Sequence, residues 1–290
     1  MTRIISLLAL ASLLQACSAV KIVYNQAPDL AYWYLDGYVD FSEKQSLQVK
    51  EDLARLLAWH RQTQLPGYID TLQKLQRQMP ADMDAAQACE MFFDVRRKLL
   101  AVSTQAEPAV LALAGTLEAG QLAQMEHRFA KGNTDYREDF VEGTPKARRH
   151  KRYKQAVNRA EMLYGRLGDK QLGLIGQAID QSRFDAALSY AERVRRQQDA
   201  LQTLRTLAAN RSTAADTPEK TRDAMRALFE RSLNSPDAVY RDYLEKLTQD
   251  NCKNFADLHN STTPAQRLRA VETLNSYEQD LRTLAALNKG

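Results

Sequence analysis

Few residues in this chain favour strands or tight turns. Its 290 residues include 11 glycines and 8 prolines, below the roughly 7% and 5% of average usage. Valine and isoleucine together number only 18. Because strands favour β-branched residues and helices exclude Gly and Pro, this composition excludes a β-sandwich, a β-barrel and a nucleotide-binding α/β fold. Leu, Ala, Gln, Arg and Glu dominate instead, which predicts an all-α protein.

The sequence also lacks the motifs of common enzyme and cofactor sites. It has no P-loop, dinucleotide fingerprint, GxSxG element or EF-hand loop, and its four histidines have no metal-binding spacing. Asp36 and Asp40 are four residues apart and share one helix face, as a pair of acid/base carboxylates would. An envelope hydrolase would need them to converge with His60, and nothing in the sequence marks a substrate. We therefore predict no enzymatic activity, no cofactor and no metal.

The sequence also has little excess charge of either sign and no long hydrophobic run. The 40 basic and 36 acidic residues give a net charge of +4, too small an excess to imply a nucleic-acid partner. The longest apolar run, residues 4–14, is shorter than the ~20 residues that a membrane-spanning helix needs. It follows a basic residue, Arg3, as the core of a secretory signal does.

This run ends in Leu14-Gln15-Ala16-Cys17, which resembles a bacterial lipobox. The resemblance implies cleavage before Cys17, removal of a signal peptide over residues 1–16, and acylation of the Cys17 sulfur and amino group. Several acyl chains would anchor the protein stably in a membrane. Ser18 follows Cys17 where an Asp would retain the protein at the inner membrane, so we predict the periplasmic face of the outer membrane. The alternative is an ordinary signal peptide.

Three cysteines are an odd number, and lipidation of Cys17 leaves Cys89 and Cys252. In an oxidising periplasm an isolated pair favours a disulfide over two buried thiols. Neither cysteine lies in a CxxC motif. We therefore predict a Cys89–Cys252 disulfide.

The mature chain, residues 17–290, reads as one elongated bundle of nine to eleven amphipathic helices. Six prolines lie near predicted helix starts, where a missing N–H is tolerated. Asn210 to Thr217 has the composition of a loop. The predicted helices cover residues 28–41, 42–64, 66–78, 82–103, 145–166, 168–181, 183–209, 218–233, 236–250 and 264–287.

A short pattern recurs at four of the helix starts, each time ending in glutamine. Ser42 with Gln45, and Thr263 with Gln266, fit a capping box, which accounts for two of the four. The set also loosely resembles the LTxxQ motif of Spy/CpxP-type periplasmic chaperones. The four segments are Phe41–Gln45, Leu117–Gln121, Leu167–Gln171 and Thr262–Gln266.

Two stretches are candidates for contact surfaces. The first holds Trp33, Tyr34 and Tyr38, aromatic residues suited to a membrane interface or to a partner. The alternative is a core helix that buries Tyr34, Tyr38 and Phe41. Three nearby aspartates would be repelled by an anionic membrane surface, which supports this alternative.

The second stretch is the basic segment 145–166, which includes Arg148, Arg149 and Arg152. It either pairs with the acidic stretch 135–142 or contacts anionic phospholipid, lipopolysaccharide or an acidic envelope protein. The predicted compartment contains no nucleic acid, so such a partner is not expected.

After the lipobox the chain carries, in this order, Tyr24-Asn25, Pro28, Trp33-Tyr34-Leu35-Asp36-x-Tyr38-x-Asp40, Leu57-x-Trp59-His60-Arg61, Leu65-Pro66-x-Tyr68, Arg159, Gly165, Leu167, Asp257-Leu258-His259 and Thr263-Pro264-x-Gln266-Arg267. Together with the lipobox, these residues resemble an uncharacterised family of proteobacterial lipoproteins, a domain of unknown function. The resemblance implies a helical lipoprotein fold and brings no activity with it. We expect a lipid-anchored binding or structural protein, with an ATP-independent chaperone of the Spy/CpxP kind as the alternative.

Overall fold

The all-α prediction is confirmed: a computed structural model describes residues 19–210 and 218–287, and these fold into helices without a strand. The predicted signal peptide, Cys17 and most of the predicted 210–217 loop lie outside the described residues. Two π-helical turns, His60–Gln64 and Arg137–Glu142, continue the α-helices that end at Trp59 and Tyr136. The described α-helices are α1 (Ala19–Asn25), α2 (Ala27–Val39), α3 (Glu43–Trp59), α4 (Leu65–Gln78), α5 (Ala85–Ala114), α6 (Ala119–Tyr136), α7 (Pro145–Tyr164), α8 (Asp169–Asp180), α9 (Ala186–Asn210), α10 (Pro218–Leu233), α11 (Ala238–Asn260) and α12 (Pro264–Ala286).

Two helices are longer than their sequence patterns predicted. We expected a helix end near Ser103 and a new start at Pro108, but α5 continues through Pro108 to Ala114. Its two ends lie in different hydrophobic cores, through Ala88 and Ala114, so tertiary packing outweighs the local cost of the proline. Helix α11 likewise extends to Asn260, ten residues beyond the predicted end.

The protein has two hydrophobic cores among its described residues. The first core lies among α2, α3, α6, α9, α10 and the C-terminal end of α5. The second lies among α7, α8, α11, α12, the C-terminal end of α4 and the N-terminal end of α5. At 30 residues, α5 is about 45 Å long, which allows it to serve both cores. The buried apolar residues are Val39, Phe41, Val49, Ala114, Leu117, Leu122, Leu204, Leu207, Met225 and Leu228 in the first core, and Met79, Met83, Ala88, Tyr164, Leu167, Ile175, Cys252, Ala256, Leu258, Ala270 and Leu274 in the second.

The recurring glutamines cap their own helices and also bind one another in pairs. Gln45 and Gln121 exchange amide hydrogen bonds of 3.2 and 2.7 Å, and Gln171 and Gln266 exchange bonds of 2.6 and 2.9 Å. The Ser42 and Thr263 capping boxes form as predicted.

Each glutamine of a pair also donates a hydrogen bond to a backbone carbonyl near the start of its partner's helix. Gln171 donates to the Ser261 carbonyl at 3.2 Å and Gln266 donates to the Arg166 carbonyl at 2.9 Å. Gln121 makes the equivalent bond to the Asp40 carbonyl at 3.0 Å, and Gln45 binds the carbonyl of Thr116 at 3.2 Å. The same polar arrangement therefore joins two helix starts beside each core.

Cys89 on α5 and Cys252 on α11 lie at disulfide distance, with Cα atoms 5.2 Å apart, in agreement with the predicted pairing. The two residues are 163 positions apart in sequence. The bond therefore ties α11 directly to the long helix that serves both cores.

Candidate contact surfaces

The first two helices expose a group of large apolar side chains. Trp33 and Tyr34 are 74% and 59% exposed, and Leu30 on the same helix is 52% exposed. Because these three residues are spaced at i, i+3 and i+4, they share one face of α2. Ile22 and Val23 on α1 are similarly exposed. We call these five residues the N-terminal aromatic surface.

The opposite face of α2 packs into the protein, so the alternative of a core helix is correct only in part. Phe41 is buried and Tyr38 packs against the first core, whereas Tyr34 faces outward. The Tyr34 and Tyr38 hydroxyls are 3.5 Å apart, and this hydrogen bond raises the pKa of Tyr34. The Arg128 guanidinium lies 5.4 Å from the centre of the Tyr38 ring. The buried Arg128 Nε has no hydrogen-bond partner among the described residues.

The three arginines predicted as a basic contact surface on α7 are engaged within the protein. Arg149 binds Asp180 of α8 through two hydrogen bonds of 2.5 and 2.7 Å. Arg148 donates to the Val141 carbonyl at 3.0 Å. Arg152 lies over the Phe184 ring at 4.7 Å, where burial lowers its pKa.

The predicted pairing of the basic segment with the acidic stretch 135–142 is found at one position, where Lys151 forms an ion pair with Asp139. The acidic stretch is therefore only one of several partners of α7. Lys146, Lys154 and Arg159 are exposed and have no ion pair among the described residues. These positions, and not Arg148, Arg149 and Arg152, supply the open positive charge of α7.

Two of the three residues considered for an acid/base site, Asp36 and His60, have structural partners. Asp36 Oδ1 accepts a hydrogen bond of 2.9 Å from the Phe41 amide, just after α2 ends with Asp40 in the left-handed region at φ 58°. The His60 Nδ1 and the Tyr24 hydroxyl are 2.9 Å apart, and burial lowers the pKa of this histidine. Within residues 19–210 and 218–287, no cluster of three His, Cys, Asp or Glu could hold a metal ion.

A second histidine is fully buried in the second core. His259 lies 2.9 Å from the Tyr164 hydroxyl through Nδ1 and 2.8 Å from the Ala81 carbonyl through Nε2. The carbonyl can only accept, so Nε2 carries the proton and Nδ1 accepts from the tyrosine. Burial lowers the pKa of His259 and raises that of Tyr164, which favours the neutral form of both groups.

Two cavities beside the disulfide were missed by sequence reasoning. One, of about 490 Å³, is lined by residues of α5, α9, α11 and the end of α10, and we call it the arginine-lined cavity because it includes Arg96, Arg196 and Arg241. The other, of about 350 Å³, is mainly apolar and includes Phe92, Val95 and Phe255. The contributing helices are far apart in sequence, so no local signal could have found either cavity.

A family model described as a family of unknown function (DUF6279) matches residues 37–217, more than half of the chain. The chain belongs to this family. The predicted resemblance to an uncharacterised family is confirmed at that level. The matched range includes Tyr38, Cys89 and helix α7, whereas Trp33 and Cys252 lie outside it.

No curated protein and no solved structure gives a significant match. Among the described helices, none combines the length and apolar character needed to span a bilayer. The function of this protein is therefore inferred from its own surfaces.

Proposed function

We propose that this protein is a lipoprotein of the bacterial envelope, anchored through Cys17 at the periplasmic face of the outer membrane. In this proposal it is a binding or structural protein and has no catalytic activity. The observation that carries the proposal is the N-terminal aromatic surface, where Trp33 is 74% exposed. Tryptophan and tyrosine favour membrane interfaces, where one side of the ring is apolar and the other is wet.

The position of this surface in the chain fits membrane contact. Helix α1 begins at Ala19, two residues after Cys17, so an extended connection reaches at most about 7 Å. From Ala19 to Trp33 a helical path adds no more than about 21 Å. An acylated Cys17 would therefore keep Trp33 within about 30 Å of the point where the lipid chains enter the bilayer.

The charges beside the surface indicate how it would bind. Asp29 on α2 and Asp40 directly after this helix are exposed, and they would be repelled by a strongly anionic membrane. We therefore propose that aromatic and aliphatic side chains enter the interface between zwitterionic head groups. Such contact would depend only weakly on salt, since it is not driven by charge.

The anchor is tested by metabolic labelling with palmitate. The natural chain should incorporate label and fractionate with the outer membrane, whereas a Cys17→Ser variant should incorporate none and be released. Undiminished labelling of the variant would refute the anchor. A Cys89→Ser, Cys252→Ser variant is the matched control, since it should keep its label.

Membrane contact is tested with tryptophan fluorescence. A Trp59→Phe variant leaves Trp33 as the single tryptophan of the chain. When the lipidated variant is reconstituted into phosphatidylcholine vesicles, brominated acyl chains should quench Trp33 and shift its emission to the blue. The converse variant, Trp33→Phe, reports on the half-buried Trp59 and should show neither effect. Equal quenching of both variants, or of neither, would contradict the proposed orientation.

A second candidate function is that of an ATP-independent chaperone. The two glutamine pairs at helix starts favour it, since the same segments resemble the LTxxQ motif, and exposed apolar side chains could hold an unfolded client. The protein should then suppress aggregation of a thermally unfolding client at a stoichiometric ratio. No protection at a several-fold molar excess would dismiss this candidate.

A further inference from the structure

The arginine-lined cavity brings together apolar side chains from three helices. Phe93 of α5 is 42% exposed, Leu233 at the end of α10 is 44% exposed, and Leu244 of α11 is 37% exposed. All three line one cavity of about 490 Å³, within the size range of small-molecule sites. Single exposed apolar residues are normal, but three around one concave site mark an apolar ligand.

The same cavity carries an excess of positive charge. Its lining includes Arg96, Arg196 and Arg241 against a single carboxylate, Glu245. Glu245 accepts a hydrogen bond of 3.3 Å from Gln249 and forms no ion pair with these arginines. Glu192 behind the wall binds Arg196 and offsets its charge, which leaves Arg96 and Arg241 against Glu245. An anion in the cavity would therefore still meet a net positive charge.

The three arginines differ in how much hydrogen-bonding capacity they have left. Arg196 binds Glu192 at 2.7 Å and lies 5.8 Å from the centre of the Tyr240 ring, so it forms part of the wall. Arg241 uses one Nη to donate to the Ser235 carbonyl at 2.6 Å, which leaves its remaining N–H groups available. The Arg96 side chain is exposed and makes no hydrogen bond or ion pair within residues 19–210 and 218–287.

We propose that the arginine-lined cavity binds a single-chain anionic amphiphile. The carboxylate or phosphate head group binds Arg96 and Arg241, since a guanidinium matches either anion with two parallel hydrogen bonds. The acyl chain lies against Phe93, Leu233 and Leu244. This site goes beyond the proposed function and does not depend on the N-terminal aromatic surface.

The test is calorimetric titration of the full mature chain carrying Cys17→Ser, which needs no detergent. Laurate and dodecyl phosphate, used below their micelle concentrations, should each bind saturably at one site. The tighter of the two identifies the head group as carboxylate or phosphate. Dodecanol, with the same chain and no charge, should bind at least about tenfold more weakly, and dodecyltrimethylammonium should not bind.

Variants connect the binding to this cavity. Arg96→Gln should weaken binding of the anions about tenfold, and addition of Arg241→Gln about tenfold more, since charge-assisted hydrogen bonds are lost. Thr248→Trp, which fills the cavity from α11, should abolish binding. Arg97→Gln is the matched control, because Arg97 is the next residue on α5, binds Asp94 at 2.9 Å and does not line this cavity.

Three results would overturn the proposal. These are no saturable binding of either anion, binding of dodecanol as tight as that of laurate, and equal losses for Arg97→Gln and Arg96→Gln. The Arg96 side chain is exposed and makes no hydrogen bond or ion pair within the described residues, so Arg96→Gln should not affect folding. If the double variant is unstable, Arg96→Gln alone tests the proposal. A negative result here leaves the palmitate and fluorescence tests unaffected, so the two proposals fail separately.

Discussion

The reciprocal glutamine pair of the second core should show strong energetic coupling. Gln171 is buried and takes part in four hydrogen bonds. Two are exchanged with Gln266, one of 3.2 Å is donated to the Ser261 carbonyl, and one of 2.7 Å is accepted from the amide of Gly168, the N-cap of its own helix. Substitution by alanine removes a helix cap and leaves partners unsatisfied. We expect Gln171→Ala to lower the free energy of unfolding by about 3 kcal/mol.

Gln266→Ala should cost a similar amount, because it loses the same exchange together with its bonds to the Thr263 amide and the Arg166 carbonyl. The double variant removes the shared bonds only once. Its loss should therefore be less than the sum of the single losses by about 1–2 kcal/mol. Urea unfolding followed by circular dichroism at 222 nm measures all four species, and unchanged m-values would show that the unfolded state is not altered.

Gln87 provides the matched control. It completes a capping box with Asp84 but is exposed and has no glutamine partner. Gln87→Ala should cost about 1 kcal/mol and be additive with Gln171→Ala. The Gln45–Gln121 pair of the first core should reproduce the coupling. Additivity within about 0.3 kcal/mol in both pairs would refute the view that these amides act as units.

Three further predictions concern buried or constrained groups. Replacing Cys89 and Cys252 by serine should lower the free energy of unfolding by up to about 5 kcal/mol, measured in urea, since the disulfide closes a loop of 163 residues. Burial opposes ionisation of Glu192, but hydrogen bonds from two arginines and a serine lower its pKa to about 2. The ionised Glu192 side chain therefore contributes its full stabilisation above pH ~4.5, and the free energy of unfolding should decrease by ~3 kcal/mol as the pH falls towards 2. Acid titration of Glu192→Gln should show no such decrease. Burial lowers the pKa of His259, so below pH ~6.5 the unfolded chain binds more protons than the folded chain. The free energy of unfolding should therefore decrease as the pH falls below ~6.5, and it should decrease less in His259→Gln.

Contacts within one helical turn could be predicted from the sequence, whereas contacts between distant segments could not. The spacing of Ser42 and Gln45 was enough to predict a capping box, since both partners lie within one helical turn. The bond from Gln45 to Gln121 joins residues 76 positions apart, and nothing local specifies it. The disulfide is the exception, because elimination among three cysteines left only one pair.

The orientation of α2 shows a second limit. A helix with apolar residues on nearly every side does not reveal which side is buried, so the sequence allows both a core stripe of Tyr34, Tyr38 and Phe41 and an exposed surface. The structure buries Phe41 and exposes Tyr34, because the first core approaches α2 from one side only. Similarly, the sequence placed positive charges on α7 but could not show that Arg149 is bound by Asp180 of α8.

The N-terminal aromatic surface can be separated from the stability of the fold. The two cores are built from other side chains, and Trp33 is 74% exposed, so Trp33→Ser should change the free energy of unfolding by less than about 0.5 kcal/mol. If the ring enters a bilayer interface, the same substitution should reduce vesicle binding of the unlipidated Cys17→Ser chain. Loss of stability instead of binding would mean that Trp33 supports the fold, and the proposed membrane contact would then lose its principal residue.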